Sequence, residues 1–445
     1  MLGSRTLSAG LLLLLGFGAT QSHASDWPQW LGPGRDSVWS DTGLIEKFPE
    51  GGIKPEWRAK VAAGYSGPAV ADGRVYVTDF LTDADVIAER SPQGPQISAP
   101  GKERVLCLDA KTGQELWKHE DDRTYGISYP AGPRCTPTVA DGKVYTVGAE
   151  GDLLCLDAVK GTLLWSKNYG KDYGAKIPLW GYASHPLVDG KKLICIVGGE
   201  GSIAVAFDKD TGKELWKALS AKEPGYSSPT IIEAGGKRQL LIYDPQSLNS
   251  LDPETGTLYW TVPNAPDYGL SVMVPRKLGD YLFASGPPRK NSFLLKLDST
   301  KPAVTEVWHG TPDTSLSAVN ATPFLDGETI YGADATKGLL SAVELMTGKR
   351  LWETSVPTSG EKPVNNGTVF IVKNGERYFL FSETGNLIIA KLTPKGYDEV
   401  SRMKLLEPTG LASGRKVVWS HPAFAEKCVF ARNDSEIVCV SLQQR

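Results

Sequence analysis

The sequence has no excess of charge of either sign and very few histidines. Its 445 residues carry 48 Lys and Arg against 51 Asp and Glu, with five His and four Met. Because a charge balance this close to zero offers no basic surface to a polyanion, nucleic acid is not expected as a partner. Charged residues make up 22% of the chain and apolar residues 41%, which predicts a large folded core rather than disorder.

Sequence signatures of common catalytic and metal sites are also absent. The chain contains no GxSxG, no HExxH, no EF-hand loop, no GxxxxGKS/T and no Cys/His cluster with zinc spacing. Asp and Glu are numerous, but most of them belong to predicted turns. We therefore assign no catalytic residue and no metal site from the sequence.

Only one long hydrophobic run is present, and it lies at the start of the chain. Arg5 precedes the apolar run 7–19, and small residues end the segment at Ala24. This pattern is typical of a secretory signal peptide, residues 1–24, cut after Ala24. The run is shorter than the roughly 20 apolar residues of a spanning helix, and no Cys follows it that could carry a lipid. We expect a periplasmic or secreted protein with no membrane anchor after cleavage; an uncleaved anchor is the alternative.

Cysteine is scarce, and its six occurrences form no CxxC, no CxxCH and no adjacent pair. Cys107, Cys155, Cys195 and Cys439 lie inside apolar runs such as VLCLD and LLCLD, where a small buried hydrophobe belongs. We predict that most of the six are unpaired thiols in the core. An even count in an exported protein leaves disulfides as the alternative.

A ten-residue motif repeats along the chain. Its copies are LDAKTGQELW, LDAVKGTLLW, FDKDTGKELW, LDPETGTLYW and VELMTGKRLW, with a degenerate copy that ends at Trp308. Successive motif tryptophans are 44 to 51 residues apart, a period typical of a four-stranded propeller blade. First strands begin near positions 66, 135, 184, 227, 272, 321, 367 and 420. The sequence therefore predicts an all-β, eight-bladed propeller of antiparallel blades.

The last blade has only three predicted strands before the chain ends. Residues 55–61 carry a motif-like Trp57 without the rest of a blade, so we predict that this N-terminal strand completes blade eight and closes the ring. The propeller domain then spans 55–445, behind an N-terminal extension at 25–54. One large indole in every repeat predicts packing between neighbouring blades. The tryptophans expected in this structural role are Trp57, Trp117, Trp165, Trp216, Trp260, Trp308 and Trp352.

The two faces of the predicted ring differ in loop length. Turns between first and second strands are short, mostly Asp-Gly, whereas the other face carries the longer segments 81–104, 119–134, 167–183 and 404–418. Function concentrates on long loops of a rigid scaffold, so we place any binding site on that face, near the axis. The alternative is that its residues merely complete a solvated rim. The candidate ligand- or partner-binding residues are Tyr65, Arg134, Trp180, Tyr182, His185, Tyr226, Asn320, Asn365, Trp419 and His421.

The repeated LDxxTGxxxW motif resembles the quinoprotein-like propeller superfamily, which includes pyrroloquinoline-quinone (PQQ) alcohol dehydrogenases and the assembly protein BamB. The opening DWPQWLGPGRDSVWSDTGL, followed by GYSGPAVADGRVYV, is similar to secreted PQQ-like repeat proteins of planctomycete-type bacteria. For the dehydrogenases the resemblance implies an adjacent Cys-Cys pair, a Glu/Asn/Asp calcium site and a catalytic Asp. This chain has no Cys-Cys pair, and no calcium triad can be matched to it.

Three functions follow as expectations. The first is a monomeric, non-catalytic binding or scaffold module for a protein or glycan partner in the periplasm or cell envelope, without a cofactor. The second is a quinone-dependent alcohol dehydrogenase that would bind PQQ with calcium. The third is an enzyme that acts on polysaccharide.

Overall fold

Eight four-stranded antiparallel sheets follow one another in the computed structural model, which describes residues 25–84 and 98–444. The first strand is β1 (Trp57–Lys60). Blade one contains β2 (Ala69–Ala71), β3 (Arg74–Leu81), β4 (Ala99–Asp109) and β5 (Glu115–Tyr125). Blade two contains β6 (Thr138–Ala140), β7 (Lys143–Val147), β8 (Asp152–Asp157) and β9 (Leu163–Asn168). Blade three contains β10 (Leu187–Asp189), β11 (Lys192–Ile196), β12 (Ala204–Asp208) and β13 (Glu214–Ala218). Blade four contains β14 (Thr230–Ala234), β15 (Lys237–Tyr243), β16 (Ser247–Leu251) and β17 (Leu258–Pro263).

The second half of the ring continues the same order. Blade five contains β18 (Arg276–Leu278), β19 (Tyr281–Ala284), β20 (Phe293–Leu297) and β21 (Val304–His309). Blade six contains β22 (Phe324–Asp326), β23 (Thr329–Asp334), β24 (Leu339–Glu344) and β25 (Arg350–Thr354). Blade seven contains β26 (Val369–Asn374), β27 (Arg377–Ser382), β28 (Asn386–Thr393) and β29 (Gly396–Lys404). A hairpin of β30 (Gly410–Ala412) and β31 (Arg415–Val417) precedes blade eight, which holds β32 (Ala423–Ala425), β33 (Cys428–Arg432) and β34 (Glu436–Ser441).

Helix is confined to three short pieces in the described ranges. These are α1 (Tyr169–Tyr173) and two 3-10 turns, Asp267–Gly269 and Arg289–Asn291. The predicted all-β, eight-bladed propeller of four-stranded antiparallel blades is therefore confirmed. The predicted signal peptide, residues 1–24, lies outside the described residues, as does the middle of the insertion predicted at 81–104.

An N-terminal strand closes the ring, as predicted from the missing strand of blade eight. Strand β1 pairs antiparallel with β34, with Trp57 opposite Cys439 and Lys60 opposite Glu436. The neighbouring Arg58 also forms an ion pair with Glu436 at 2.8 Å. The outer edge of β34 is thereby covered, so the two ends of the chain hold one blade together.

The repeated motif forms the joint between successive blades. In blade one, Asp109 Oδ1 accepts hydrogen bonds from the backbone and the hydroxyl of Thr112, which shapes the turn. Gly113 then adopts φ +71°, and its open face lies against the Trp57 ring of the preceding blade. Trp57 Nε1 donates to Ala110 O at 2.8 Å. Only glycine leaves room for that ring, which explains why the motif needs both Gly and Trp.

The same joint recurs around the ring wherever a Gly-containing turn receives an indole. The recurring pairs are Trp117 with Gly161, Trp165 with Gly212, Trp216 with Gly256, and Trp308 with Gly348. Two of the seven tryptophans depart from this pattern. Trp260 faces the degenerate motif, which has no glycine, and donates to Gln239 Oε1 of its own blade at 2.8 Å. Trp352 reaches Thr393 O at 2.8 Å, but no turn glycine lies beneath it among the described residues.

All six cysteines are free thiols in the structure. Five of them, including the four in apolar runs, are buried, and Cys428 is half-buried. Burial raises the pKa of Cys107, Cys155 and Cys195 to about 12, which keeps these thiols protonated and unreactive. They pack as small core residues.

Candidate functional site

A cavity of about 540 Å³ opens on the propeller axis, on the face that carries the longer loops. Its wall is built from residues that precede the first strands, so all eight blades contribute to it. Blade-to-blade loops add further side chains above them. The lining residues are Trp30, Tyr65, Tyr129, Arg134, Trp180, Ala183, His185, Tyr226, Ser228, Tyr268, Leu270, Val272, Val319, Asn320, Ala321, Thr322, Asn366, Ser413, Trp419 and His421.

Aromatic side chains dominate the wall and are held in place by their neighbours. The Trp180 and Tyr226 rings meet edge to face at 5.9 Å between centroids. Trp419 Nε1 donates to Glu383 Oε2 at 3.0 Å, and the same carboxylate is clamped by Arg415 through two further bonds. Glu383 therefore orients the indole but does not line the cavity. These contacts fix the orientation of Trp180, Tyr226 and Trp419 in the wall.

Arg134 is the one formally charged side chain in the cavity wall of the described chain. Its guanidinium lies over the Tyr65 ring, 5.0 Å from the centroid, and donates to the carbonyls of Gly132, Ser128 and Tyr129 at 2.6 to 2.9 Å. It forms no ion pair within the described residues. Burial lowers the pKa of Arg134 below its ordinary value. An arginine side chain stays protonated in proteins, so Arg134 carries its charge. Among the described residues, this cavity-facing cation therefore has no counterion.

The floor of the cavity is made by the N-terminal extension. Trp30 stacks on His185 at 4.5 Å and meets His421 edge-on at 5.6 Å. Arg35 lies behind it and donates to Pro186 O at 3.0 Å and to Pro229 O at 3.3 Å. The extension therefore closes the axial channel below the cavity, with contacts to blades three, four and eight.

Backbone bonds hold this extension against the hairpin-turn face. Trp27 exchanges two hydrogen bonds with Val70 of β2, and Trp39 N donates to Lys373 O of β26 at 2.8 Å. Asn374 Nδ2 donates to Trp39 O and Asp41 O at 2.8 and 2.9 Å. The cavity is consequently open on the long-loop face and closed on the other.

The two cavity histidines are neutral. Burial lowers the pKa of His421 to about 3, and it lowers that of His185 well below its ordinary range. His185 Nδ1 accepts a hydrogen bond from Thr136 N at 2.9 Å, which leaves its proton on Nε2. Imidazoles this hard to protonate are poor general bases near neutral pH.

Two buried donors in the lining have no acceptor among the described residues. They are the Trp30 indole N–H and the Tyr226 hydroxyl, on side chains only 5% and 4% exposed. The backbone N–H of Trp180 approaches the Tyr226 oxygen, but the hydroxyl hydrogen itself remains unpaired. Buried donors are nearly always satisfied in folded proteins. These two are exceptions: the atoms themselves are shielded from solvent, so they lie within the wall rather than on its open surface.

Eight of the ten candidate residues line the cavity, and two do not. Tyr182 is buried between blades, where its hydroxyl donates to Val197 O at 3.0 Å and its ring meets Tyr169. Asn365 is exposed and faces a neighbouring pocket of about 620 Å³. Asn366, one position later, takes the place predicted for Asn365, because the turn before β26 lifts residue 365 off the axis.

Sequence reasoning missed several lining residues, above all Trp30, Tyr129, Tyr268 and Ser413. Trp30 belongs to the non-repeating extension, and the others belong to loops without a motif. The loop asymmetry pointed to the correct face, but no sequence signal places an individual loop side chain on the axis.

The lining does not fit a calcium-bound quinone. No group of three or more His, Cys, Asp or Glu side chains that could hold a metal occurs in ranges 25–84 and 98–444. No Asp or Glu is among the described residues that line the cavity, so calcium would lack its carboxylate ligands.

Fold and cavity together define an eight-bladed propeller with a ligand-sized axial cavity closed at one end. The chain belongs to the family described as outer membrane protein assembly factor BamB, whose model matches residues 101–354 and 246–445. None of the curated proteins compared with the chain matches it. In the described part of the chain, no helix has the length and apolar character needed to cross a membrane.

Solved structures show the same fold at low sequence identity. BamB from Moraxella catarrhalis is 15% identical with a TM-score of 0.52; the match covers 87% of this chain and 99% of that one. Quinohemoprotein alcohol dehydrogenase from Comamonas testosteroni is 13% identical with a TM-score of 0.60 and coverages of 94% and 81%. The designed protein Ika8 is 9% identical with a TM-score of 0.51, covering 86% and 97%.

Proposed function

We propose that this protein is an exported, non-catalytic binding module that holds part of a glycan chain in its axial cavity. The single observation that carries the proposal is the wall of oriented aromatic rings around a recess of about 540 Å³. This volume lies within the range of about 300 to 1,000 Å³ that is usual for ligand pockets. Export rests on the signal-like segment 1–24.

The chemistry of the wall favours a sugar over other ligands of that size. A pyranose ring has apolar C–H faces, which stack on indole and phenol rings, and a hydroxyl edge, which needs hydrogen-bond partners. Trp180 and Trp419 offer such faces, while Asn320 and Asn366 offer amides of mixed donor and acceptor character. A folded protein partner would instead need roughly 800 Å² of matching surface on each side. The recess is too small for that surface.

The residues of the cavity wall support a role in binding rather than in catalysis. The described lining residues include no carboxylate that could act as nucleophile or general acid, and both histidines stay neutral. Family membership supports a binding or scaffold module in the same way. The dehydrogenase alternative would require a set of metal ligands that the part of the lining within 25–84 and 98–444 does not offer.

Titration calorimetry with a panel of neutral and acidic oligosaccharides tests the proposal. We expect at least one glycan to bind, and we expect Trp180→Ala to weaken that binding by about 1 to 4 kcal/mol, the usual cost of losing an aromatic anchor. Trp352→Ala is the matched control, because this indole lies on an outer strand far from the cavity. No binding across the panel, or binding that only the control variant weakens, would overturn the proposal.

A further inference from the structure

The cavity has an uneven supply of hydrogen-bond donors and acceptors. Three of the five N–H donors of Arg134 reach backbone carbonyls, which leaves two. No carboxylate among the described lining residues accepts from either of them. A ligand that satisfies this site must bring strong acceptors.

The charge of Arg134 is likewise uncompensated in the described wall. Glu103 acts on it electrostatically, but this carboxyl is buried, accepts hydrogen bonds from the Tyr125 hydroxyl and Ala149 N, and has a pKa raised by burial. Glu103 therefore does not serve as the counterion of Arg134. Tyr65 supports the guanidinium from one side through a cation–π contact, which holds its planar fork in place.

The adjoining pocket continues the same charge pattern. It shares Asn366 and Ser413 with the main cavity and is lined by Lys337 and Arg415, again without an Asp or Glu in the described lining. Arg415 is paired with Glu383, whereas Lys337 forms no ion pair in the described chain. A linear ligand that leaves the cavity past Ser413 would meet a second positive charge.

We propose that the bound glycan is acidic, and that a carboxylate on one of its sugars pairs with Arg134 while the chain continues toward Lys337. This inference rests on the proposed glycan-binding function and narrows it to one ligand class. A carboxylate matches the guanidinium fork in geometry and supplies the missing acceptors. A neutral sugar would leave the cation desolvated and unpaired, which is costly.

The test compares each acidic oligosaccharide with its own uncharged form. Tetramers of galacturonate, mannuronate and glucuronate are titrated beside their methyl esters, which keep the skeleton and remove the charge. We expect the best acid to bind about tenfold to a hundredfold more tightly than its ester, since hydrogen bonds to charged groups are the strong ones. Increasing NaCl should weaken binding of the acid and leave the ester unchanged.

Variants then show which basic residue is responsible for the preference for the acidic glycan. Arg134→Met should abolish the difference in affinity between the acid and its ester, and Lys337→Met should reduce that difference more weakly. Arg58→Met is the control, because this exposed arginine lies on the closing strand. If Arg134→Met fails to fold, the acid-to-ester ratio and its salt dependence in the full wild-type chain still decide.

Each result points to one conclusion. Equal binding of acids and esters overturns the acidic ligand but leaves glycan binding standing. An absence of binding by any glycan overturns the proposed function itself. Tighter binding of a hexaglutamate peptide than of every uronate would show that the ligand is an acidic peptide, and it would contradict both proposals.

Discussion

The joint between the last and first blades allows a quantitative test of the motif's role. A β-carbon added at Gly113 would lie 2.5 Å from the Trp57 ring, and the residue has φ +71°. Gly113→Ala therefore carries two costs: about 1 to 2 kcal/mol for a left-handed alanine, and about 1 to 3 kcal/mol for overpacking against the indole. Gly142→Ala isolates the first cost, because Gly142 has φ +73° and no atom within 4 Å of the added carbon.

A double-mutant cycle separates the clash from the backbone. Trp57→Ala should cost about 3 to 5 kcal/mol, because the indole is buried and its hydrogen bond to Ala110 O is lost. In that background Gly113→Ala should cost only its backbone part, so the two changes should couple by about 1 to 3 kcal/mol. Urea unfolding followed by circular dichroism measures all four proteins. Additive effects, or equal costs at Gly113 and Gly142, would refute the interlocking joint.

Three further predictions follow from the site and the core. Because the His421 pKa is lowered by burial to about 3, the unfolded imidazole takes up a proton near pH 6.5 before the native one does. The free energy of unfolding should therefore fall as pH drops below about 6.5, and the fall should be smaller in His421→Asn than in wild type by matched urea melts. Arg35→Met should lower the free energy of unfolding by about 2 to 4 kcal/mol, because buried carbonyls lose their donor. Exposed Arg58→Met should lower it by less than about 1 kcal/mol. Equal losses of stability in the two variants would contradict the closed channel. Thiol titration should find no more than Cys428 reactive in the native protein and six thiols in denaturant; fewer than six would reveal a disulfide.

The fold could be predicted because its determinants are local and repeated. The Asp-Gly turns, the Thr-Gly turn and its tryptophan recur in register, so the period alone sets the blade count. Counting strands also predicted closure by β1, since an unpaired outer edge of β34 would be left exposed. The same logic placed residues such as Tyr65 and Arg134 on the axis, because each immediately precedes a first strand.

What escaped prediction depends on contacts between distant parts of the chain. The extension has no repeat, so its path across the hairpin face and the insertion of Trp30 beneath the histidines could not be derived from spacing. Tyr182 was wrongly expected on the rim because its loop turns inward at Gly181, φ +70°, and buries the ring. Trp260 does not pack on a turn glycine, because the motif that follows it is degenerate, and it bonds to Gln239 instead.

A crystal structure with the tightest-binding oligosaccharide of the calorimetry panel would show where on the propeller the glycan binds. We expect sugar density inside the axial cavity, with a ring stacked on Trp180 or Trp419 and a carboxylate within hydrogen-bond distance of Arg134. Sugar bound instead on the hairpin-turn face, or on the outer strands with the cavity holding only solvent, would contradict it.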